Sequence, residues 1–215
     1  MHEIKHDGHR IIAYLERGRV RIESRTGNDA TRRFSPIAEL LAKLPVRSAV
    51  LDGEIAVPDE RGVTHISLLD QALRGRGGPL VFYAFDLMFL NGLDRRRCCL
   101  PDRKAALAEV LARSPERVLL SEHLTCDGRA LFEKVGELGG EGNVSKRIGA
   151  PYTSGPSSTW LKAKHSAIGT FPVVGYVPDG PRIEALLVAE RSPAMRLIGA
   201  ALASSMRTPA RRCAF

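Results

Sequence analysis

The sequence has 215 residues, enough for one sizeable domain and a small second one. Hydrophobic residues make up 44% of it and charged residues 26%, as is usual for soluble globular proteins. It contains no run of about 18 apolar residues, so a membrane-spanning helix is excluded. The N-terminal segment is polar and lacks the apolar core of a signal peptide. We therefore expect a cytoplasmic protein.

The formal net charge is +8 and the sequence pI is about 9.7, a balance that suits a polyanionic partner such as nucleic acid. Arginines cluster at residues 95–97 and 211–212. A solvated surface is the alternative interpretation of both clusters, and the favoured one for the second. The cysteines, Cys98, Cys99, Cys126 and Cys213, form no CxxC pair, so neither a zinc site nor a disulfide framework is indicated.

The apolar periodicity and the turn and capping residues predict a mixture of strands and helices. The predicted elements are, in chain order, a hairpin of residues 11–15 and 19–24, a helix capped by Ser35, a strand at 49–57, a helix from Ser67 to Leu73, a strand at 81–90, helices capped by Asp102 and Asp127, and strands at 143–147 and 159–164. They do not alternate with βαβ regularity, so we expect an α+β fold.

A domain boundary is expected near residues 166–170. Beyond it the pattern changes to short strands at 171–177 and 183–190, which flank a turn at 178–181. Two short strands around a proline- and glycine-containing turn are typical of a hairpin-rich β module. The sequence therefore predicts a first domain at residues 1–168 and a small β domain at 169–215.

Charged residues interrupt several of the apolar strands, and buried charge is costly unless it is paired or used. Residues two apart in a strand share a face, so Asp52 should lie beside Glu54 and Lys162 beside Lys164. The same spacing relates Lys5 to Asp7. Each signal alone is weak, because an Asp-Gly pair is usually a turn and a KxK pair is usually a solvated strand face. Together, acids and lysines of this kind suit metal-assisted phosphoryl or nucleotidyl transfer.

The order of these segments carries more information than any one of them. In chain order they read Lys5-x-Asp7-Gly8-x-Arg10, Ser24-Arg25-Thr26-Gly27, Asp52-Gly53-Glu54, Phe82-Tyr83-Ala84-Phe85-Asp86, Glu141-Gly142-Asn143-Val144-Ser145-Lys146 and Trp160-Leu161-Lys162-Ala163-Lys164. This series resembles the motifs of the covalent nucleotidyltransferases, over about residues 3–200. The phrases EIKHDGHR, LDGEIAV and APYTSGPSSTWLKAK are most similar to bacterial ATP-dependent DNA ligases of the end-joining type.

The resemblance implies a fold and a chemistry. It implies a nucleotidyltransferase (ATP-grasp-like) adenylation domain, followed by a shortened OB-fold module. Lys5 would be the nucleophile that attacks the α-phosphate of ATP and becomes linked to AMP. Glu54 and Glu141 would hold Mg²⁺, and Lys162 and Lys164 would neutralise the α-phosphate.

The remaining site residues also follow from the resemblance. Arg10 and Arg25 match positions that contact the ribose and the nucleic acid, and Glu54 also belongs to the nucleotide site. Phe85 and Val144 would enclose the adenine, and Glu3 would read its amine. Taken without the motifs, Phe85 and Val144 are more simply interpreted as core residues.

The resemblance also implies partners. The substrate would be nicked or broken double-stranded DNA, an end-binding protein is left open as a further partner, and a monomer associated with the nucleoid is the default.

Two features depart from the family pattern. Asn143 replaces an apolar residue, so we expect a buried amide without a hydrogen-bond partner. Residues 169–215 match only the start of an OB fold, and residues 204–215 match nothing recognisable.

These departures leave an alternative function open. The chain could be a shortened, catalytically impaired relative that binds nucleotide or DNA without completing ligation. An RNA ligase or a capping guanylyltransferase shares the lysine chemistry, but the quoted phrases argue against both.

Overall fold

The computed structural model describes residues 1–125, 127–155, 157–165, 170–190, 195 and 197–202. Its chain divides into two units, Met1–His165 and Ser166–Phe215. Several positions discussed above lie outside the described residues: Cys126, Cys213, the arginines at 211–212, residues 166–169 of the expected boundary and the tail at 204–215. Within the described part, no helix is both long enough and apolar enough to cross a membrane.

The first unit combines two β-sheets with helices, which confirms the α+β prediction. Its described strands are β1 (His2–Ile4), β2 (His9–Glu16), β3 (Arg19–Ser24), β4 (Ser48–Ala56), β5 (Val81–Leu90), β6 (Leu93–Asp94), β7 (Val118–Leu120), β8 (His123–Leu124), β9 (Gly142–Lys146) and β10 (Trp160–Lys164). Its described helices are α1 (Ser35–Leu41), α2 (Ile66–Leu73), α3 (Leu100–Leu111) and α4 (Gly128–Glu137).

The larger sheet has six strands in the order β3-β2-β4-β5-β6, with β7 added beside β5. All of its pairs are antiparallel except that of β5 with β7. The predicted hairpin is confirmed, since β2 pairs with β3 from Ile11 opposite Ser24 to Glu16 opposite Arg19. Its turn places Arg17 and Gly18 at positive φ.

One face of this sheet forms the core. Ile11, Ala13 and Leu15 of β2 point into it, and helices α1, α2 and α3 supply residues to the same cluster. Each fully buried aliphatic side chain of this kind contributes roughly 1.5–3 kcal/mol. Because side chains alternate along a strand, Arg10 and Tyr14 face the opposite side. The second face is therefore free to carry polar groups.

Gly53 lies inside β4, so Asp52-Gly53 is not the turn that such a pair usually forms. A Cβ at Gly53 would lie 2.3 Å from a ring carbon of Phe82 and 2.7 Å from the carbonyl oxygen of Tyr83. These distances are far below a normal carbon contact. Glycine is therefore required here by the close approach of β5, and not by a turn.

The smaller sheet has four strands in the order β10-β9-β1-β8, all antiparallel. Asn143 lies on its strand β9 and is 2% exposed. Its Nδ2 donates a hydrogen bond to the carbonyl oxygen of Gly128, at 2.9 Å. The prediction of an unsatisfied amide was therefore wrong, because α4 packs against β9 and supplies an acceptor.

Only one of the predicted helix caps is confirmed. The Asp127 side chain accepts a hydrogen bond from the backbone N–H of Arg129, at 2.9 Å, at the start of α4. Ser35, Ser67 and Asp102 lie inside the first turns of α1, α2 and α3, and the residues before these helices make no side-chain cap.

Helix α2 receives its cap from a distant part of the chain. Asp7 Oδ2 accepts a hydrogen bond from the backbone N–H of Ile66, at 2.9 Å. The backbone N–H of Asp7 in turn donates to Thr64 Oγ1, also at 2.9 Å. The segment between β1 and β2 is therefore fixed to the N-terminus of α2.

The second unit contains the antiparallel sheet β11-β12-β13 in its described part, where β11 is Val173–Asp179, β12 is Arg182–Ala189 and β13 is Leu197–Leu202. The two predicted strands are present and are joined at Gly180, which has φ of 55°. Strand β13 was not predicted. These strands are consistent with the expected OB-like module.

Asp86 interrupts the apolar strand β5, and its partner is Arg103 of α3. Both residues are 0% exposed. Arg103 Nε and Nη2 donate to the two carboxylate oxygens at 2.7 and 3.0 Å. Arg103 Nη1 also donates to the carbonyl oxygens of Cys98 and Ala150. This guanidinium therefore joins the large sheet, α3 and the loop before β10.

We predict that Arg103→Met lowers the free energy of unfolding by about 3–5 kcal/mol, because it leaves the Asp86 carboxylate buried without a positively charged partner. The double variant Asp86→Leu/Arg103→Met removes both charges and should recover most of this loss. Urea unfolding of the three proteins measures the effect. A single variant that loses less than about 1 kcal/mol would contradict the buried pair.

Candidate active site

The backbone brings the first predicted site residues together where the two sheets meet. Lys5 follows β1 and Glu141 precedes β9, and the backbone N–H of Lys5 donates to the carbonyl oxygen of Gly142 at 2.9 Å. The backbone N–H of His165 donates to the carbonyl oxygen of Glu141, also at 2.9 Å. Lys5 and Glu141 are thus neighbours although 136 residues separate them.

The Glu141 carboxylate bridges two lysines. Lys5 Nζ donates a short hydrogen bond to Oε2, and Lys164 Nζ lies 2.7 Å from Oε1. Burial alone would raise the pKa of Glu141, but the hydrogen bonds from Lys164 and Lys5 outweigh it, so the pKa is lowered. Glu141 is therefore ionised and holds both ammonium groups at the pocket.

Lys5 and Asp7 do not share a strand face as predicted. Both lie in the coil between β1 and β2, and their side chains have different partners. Lys5 reaches Glu141, whereas Asp7 caps α2. The shared-face prediction is confirmed for Lys162 and Lys164, which alternate with Ala163 on β10. The strand rule failed for Lys5 because β1 ends at Ile4.

Arg10 is fixed by Asp52. Its Nε and Nη2 donate to the two carboxylate oxygens at 3.0 and 2.6 Å, and Tyr152 Oη donates to Asp52 Oδ2 at 2.8 Å. The Arg10 guanidinium also lies 5.6 Å from the ring centroid of Phe85 and 5.4 Å from that of Trp160. Asp52 is 0% exposed, so it positions Arg10 and is not itself presented to a ligand.

Glu54 lies opposite Arg10 in the pairing of β2 with β4. Burial raises its pKa to about 7, because Lys5, Arg10 and Lys162 only partly offset the lost solvation. A cation bound nearby would therefore strongly stabilise the ionised form of this carboxyl group. In the described part of the chain no group of three or more His, Cys, Asp or Glu could hold a metal. Glu54 and Glu141 could supply two carboxylates, which is a usual number for Mg²⁺ with phosphate and water as its other ligands.

Lys162 lies in a strongly cationic environment. Burial lowers its pKa, and the neighbouring charges of Arg10, Lys5 and Arg25 lower it further. A bound anion would relieve this repulsion. The cationic groups around Lys162 therefore form a site that can bind phosphate.

A small pocket of about 60 Å³ collects most of the predicted residues. It is lined by Glu3, Ile4, Lys5, His6, Arg10, Glu54, Phe85, Val144, Lys146, Trp160 and Lys162. Glu141 and Lys164 are joined to it through Lys5. Arg25 lies outside it, in an adjoining cleft of about 930 Å³ that shares Arg10, Trp160 and Lys162 with the pocket.

Several residues of this pocket were missed as site residues. Lys146 and Trp160 stood in the quoted motifs without a role, and His6 follows the proposed nucleophile directly. Lys104 reaches the site from α3 and lies 3.0 Å from Glu3 Oε1. The only signal for Lys104 was the run of three charged residues Asp102-Arg103-Lys104 in α3, and such a run more often forms a solvated face.

His6 is neutral at ordinary pH. Burial lowers its pKa to about 4, and Lys5, Lys104 and Lys146 contribute in the same direction. The imidazole stacks on Tyr83, with ring centroids 3.9 Å apart and an interplanar angle of 14°. Its Nδ1 is buried and has no hydrogen-bond partner within the described residues.

We predict that His6 makes the protein less stable in acid. The folded state binds fewer protons than the unfolded state between about pH 4 and 6.5, so stability falls as the pH drops through this window. His6→Phe keeps the stacking on Tyr83 and removes the titration. From pH 7 to pH 5 the variant should therefore gain on the order of 2 kcal/mol relative to the wild type. Urea unfolding at several pH values tests this, and a pH-independent difference would contradict it.

Comparison with known proteins gives this geometry a context. The family model described as the ATP dependent DNA ligase domain matches residues 1–164. The multifunctional non-homologous end joining protein LigD of Pseudomonas aeruginosa is 37% identical over 197 residues, which are 89% of this chain and 24% of that protein. LigD of Mycobacterium tuberculosis is 35% identical over 164 residues, which are 76% of this chain and 21% of that protein.

A solved structure of mycobacterial DNA ligase D, complexed with ATP and MES, superimposes with a TM-score of 0.67 at 30% identity. The match covers 94% of this chain and 65% of that one. The chain thus spans about a quarter of the length of these two curated relatives and less than two thirds of the solved chain. From the family match over residues 1–164, this chain belongs to the family of ATP-dependent DNA ligase domains.

Proposed function

We propose that the chain seals breaks in double-stranded DNA through a lysine–AMP intermediate. The observation that carries this proposal is the position of Lys5, which lines the pocket beside Lys162 and is held by Glu141. A lysine so placed can attack a nucleotide phosphate that the neighbouring cations bind.

The proposed reaction has three transfers. In the first, Lys5 loses a proton and its Nζ attacks the α-phosphorus of ATP, so that a P–N bond forms and pyrophosphate leaves. In the second, the 5′-phosphate of the DNA attacks the same phosphorus, and the P–N bond to Lys5 breaks. In the third, the 3′-hydroxyl attacks the activated 5′-phosphate, AMP leaves and the strand is closed. Each is an in-line substitution that depends on positioning and charge neutralisation.

The pocket residues have distinct proposed roles. Glu141 orients Lys5, while Lys162 and Lys164 neutralise the α-phosphate. Arg10, held by Asp52, contacts the ribose. Phe85 and Val144 enclose the adenine, and Glu3 reads its amine.

The proposed metal ligands are Glu54 and Glu141. The pKa of Glu54, raised to about 7, supports this assignment, since the nearby cations do not fully stabilise its buried carboxylate. When bound, Mg²⁺ would add positive charge beside the phosphates. Lys164 and Lys5 already lower the pKa of Glu141, so this carboxylate is ionised and ready to bind a cation.

The adjoining cleft is the proposed path of the DNA. Arg25, Arg96 and Lys162 line it together with the aromatic residues Tyr152 and Trp160. Positive groups beside aromatic surfaces suit a nucleic-acid strand. The relatives are named for non-homologous end joining, and we extend that role to this chain, which would act as a monomer on broken ends recruited by an end-binding protein.

We predict that purified protein incubated with α-labelled ATP and Mg²⁺ becomes covalently labelled, and that Lys5→Ala abolishes the label. Lys134→Ala is the matched control, because Lys134 is an exposed lysine of α4 that pairs with Glu137. Absence of label on the wild type would leave a protein that binds nucleotide or DNA without the first transfer. Nicked DNA that already carries AMP on its 5′-phosphate would then test the final sealing step alone.

We predict that Arg25→Ala weakens binding to nicked duplex DNA and lowers the slope of log affinity against log salt by about one unit, because one phosphate contact is lost. Arg129→Ala is the control, since Arg129 is exposed on α4 and pairs with Glu133. Fluorescence anisotropy at several salt concentrations measures both slopes. Equal slopes for the two variants would remove Arg25 from the DNA path.

A further inference from the structure

The side chain of Lys146 lines the small pocket. Its Nζ lies 4.6 Å from the ring centroid of Phe85 and 4.2 Å from that of Trp160. The two rings meet edge to face, with centroids 5.7 Å apart. The ammonium group therefore makes cation–π contacts with both aromatic residues that line the pocket.

Lys146 also binds Glu3. Its Nζ lies 2.9 Å from Glu3 Oε2, and the Lys146 side chain is only 2% exposed. Glu3 has a second cationic partner, because Lys104 Nζ lies 3.0 Å from Oε1. The two lysines differ in one respect, since Lys146 lines the pocket and Lys104 does not.

The pocket is too small for a nucleotide as it stands. Its volume is about 60 Å³, whereas ligand sites usually enclose roughly 300–1,000 Å³. A base that stacks on Phe85 and binds Glu3 needs the position that Lys146 Nζ now occupies. The Lys146 side chain can leave that position, because it is flexible and its charge can be hydrated outside the pocket.

We propose that Lys146 is a placeholder for the nucleobase. In the free protein its ammonium group fills the space between Phe85 and Trp160 and holds Glu3. The entering base displaces it, stacks on the aromatic residues and donates its exocyclic amine to the carboxylate oxygen that Lys146 leaves. This inference rests on the proposed nucleotide site, and it makes Lys146 a positioning residue that competes with the base.

Lys104 makes this exchange feasible. If Lys146 were the sole partner of Glu3, its departure would leave a buried carboxylate unpaired, which is strongly unfavourable. Lys104 stays in place and keeps Glu3 compensated from the α3 side. The base replaces the two cation–π contacts by stacking, an interaction of comparable strength.

The first test measures lysine accessibility in the wild-type protein. The protein is treated with pyrophosphate and Mg²⁺ to remove AMP from Lys5, made metal-free, and acetylated briefly with and without AMP before mass spectrometry. AMP should protect Lys5 and Lys162 and should increase the acetylation of Lys146 severalfold. Protection of Lys5 and Lys162 with unchanged or reduced labelling of Lys146 overturns the placeholder. If AMP protects neither Lys5 nor Lys162, the proposed nucleotide site fails and the inference fails with it.

The second test uses the fluorescence of Trp160, the one tryptophan in the sequence. Lys146→Ala should shift the emission of the free protein and tighten AMP binding about tenfold, or about 1.4 kcal/mol, since the base no longer competes with the ammonium group. Lys104→Ala is the matched control: it removes the other partner of Glu3 without emptying the pocket, so AMP binding should not tighten. Weaker binding by folded Lys146→Ala overturns the proposal, and the acetylation test decides it if this variant does not fold.

Discussion

The structure of the first unit depends on one constraint, that a fully buried carboxylate must have a partner of opposite charge. Glu3, Asp52 and Asp86 are all at most 2% exposed. Glu3 pairs with Lys104 of α3 and Lys146 of β9, Asp52 pairs with Arg10 of β2, and Asp86 pairs with Arg103 of α3. An unpaired charge at any of these positions would cost several kcal/mol. Through Arg103 and Lys104, helix α3 therefore links strand β5 of the larger sheet to strand β1 of the smaller one. Residues of both strands line the pocket.

The elements that the sequence predicted correctly are those whose signal is local. The β2–β3 hairpin follows from alternating side chains around Arg17-Gly18, and the start of α4 follows from Asp127. The elements it missed are stabilised from a distance. Strand β1 has three residues and exists because it pairs with β9, more than 130 positions away. No local sequence pattern predicts such a strand.

The same division holds in the site. The order of the motifs predicted most of the residues that line the pocket. In each motif the charged residues lie in a strand or next to one, so the sheets bring them together. Partners outside the motifs were not predictable in this way. Arg103 and Lys104 stand in a helix where charged residues usually face water, and only the packing of α3 on β5 shows that they are buried. The sequence predicted a side-chain amide of Asn143 without a hydrogen-bond partner for the same reason, since the acceptor of this amide lies on α4.

The link between Asp7 and α2 has a consequence for how substitutions are tolerated. The backbone on one side of Lys5 is bound to β9, and the backbone on the other side is bound to Thr64 and Ile66. Residues 64–66 do not line the nucleotide pocket, but they determine where the segment carrying Lys5 runs. In a library of random variants Asp7 and Thr64 should therefore accept few changes, because their side chains make this link, whereas position 66 supplies only a backbone N–H. Their intolerance would come from fixing the path of the backbone and not from contact with the nucleotide.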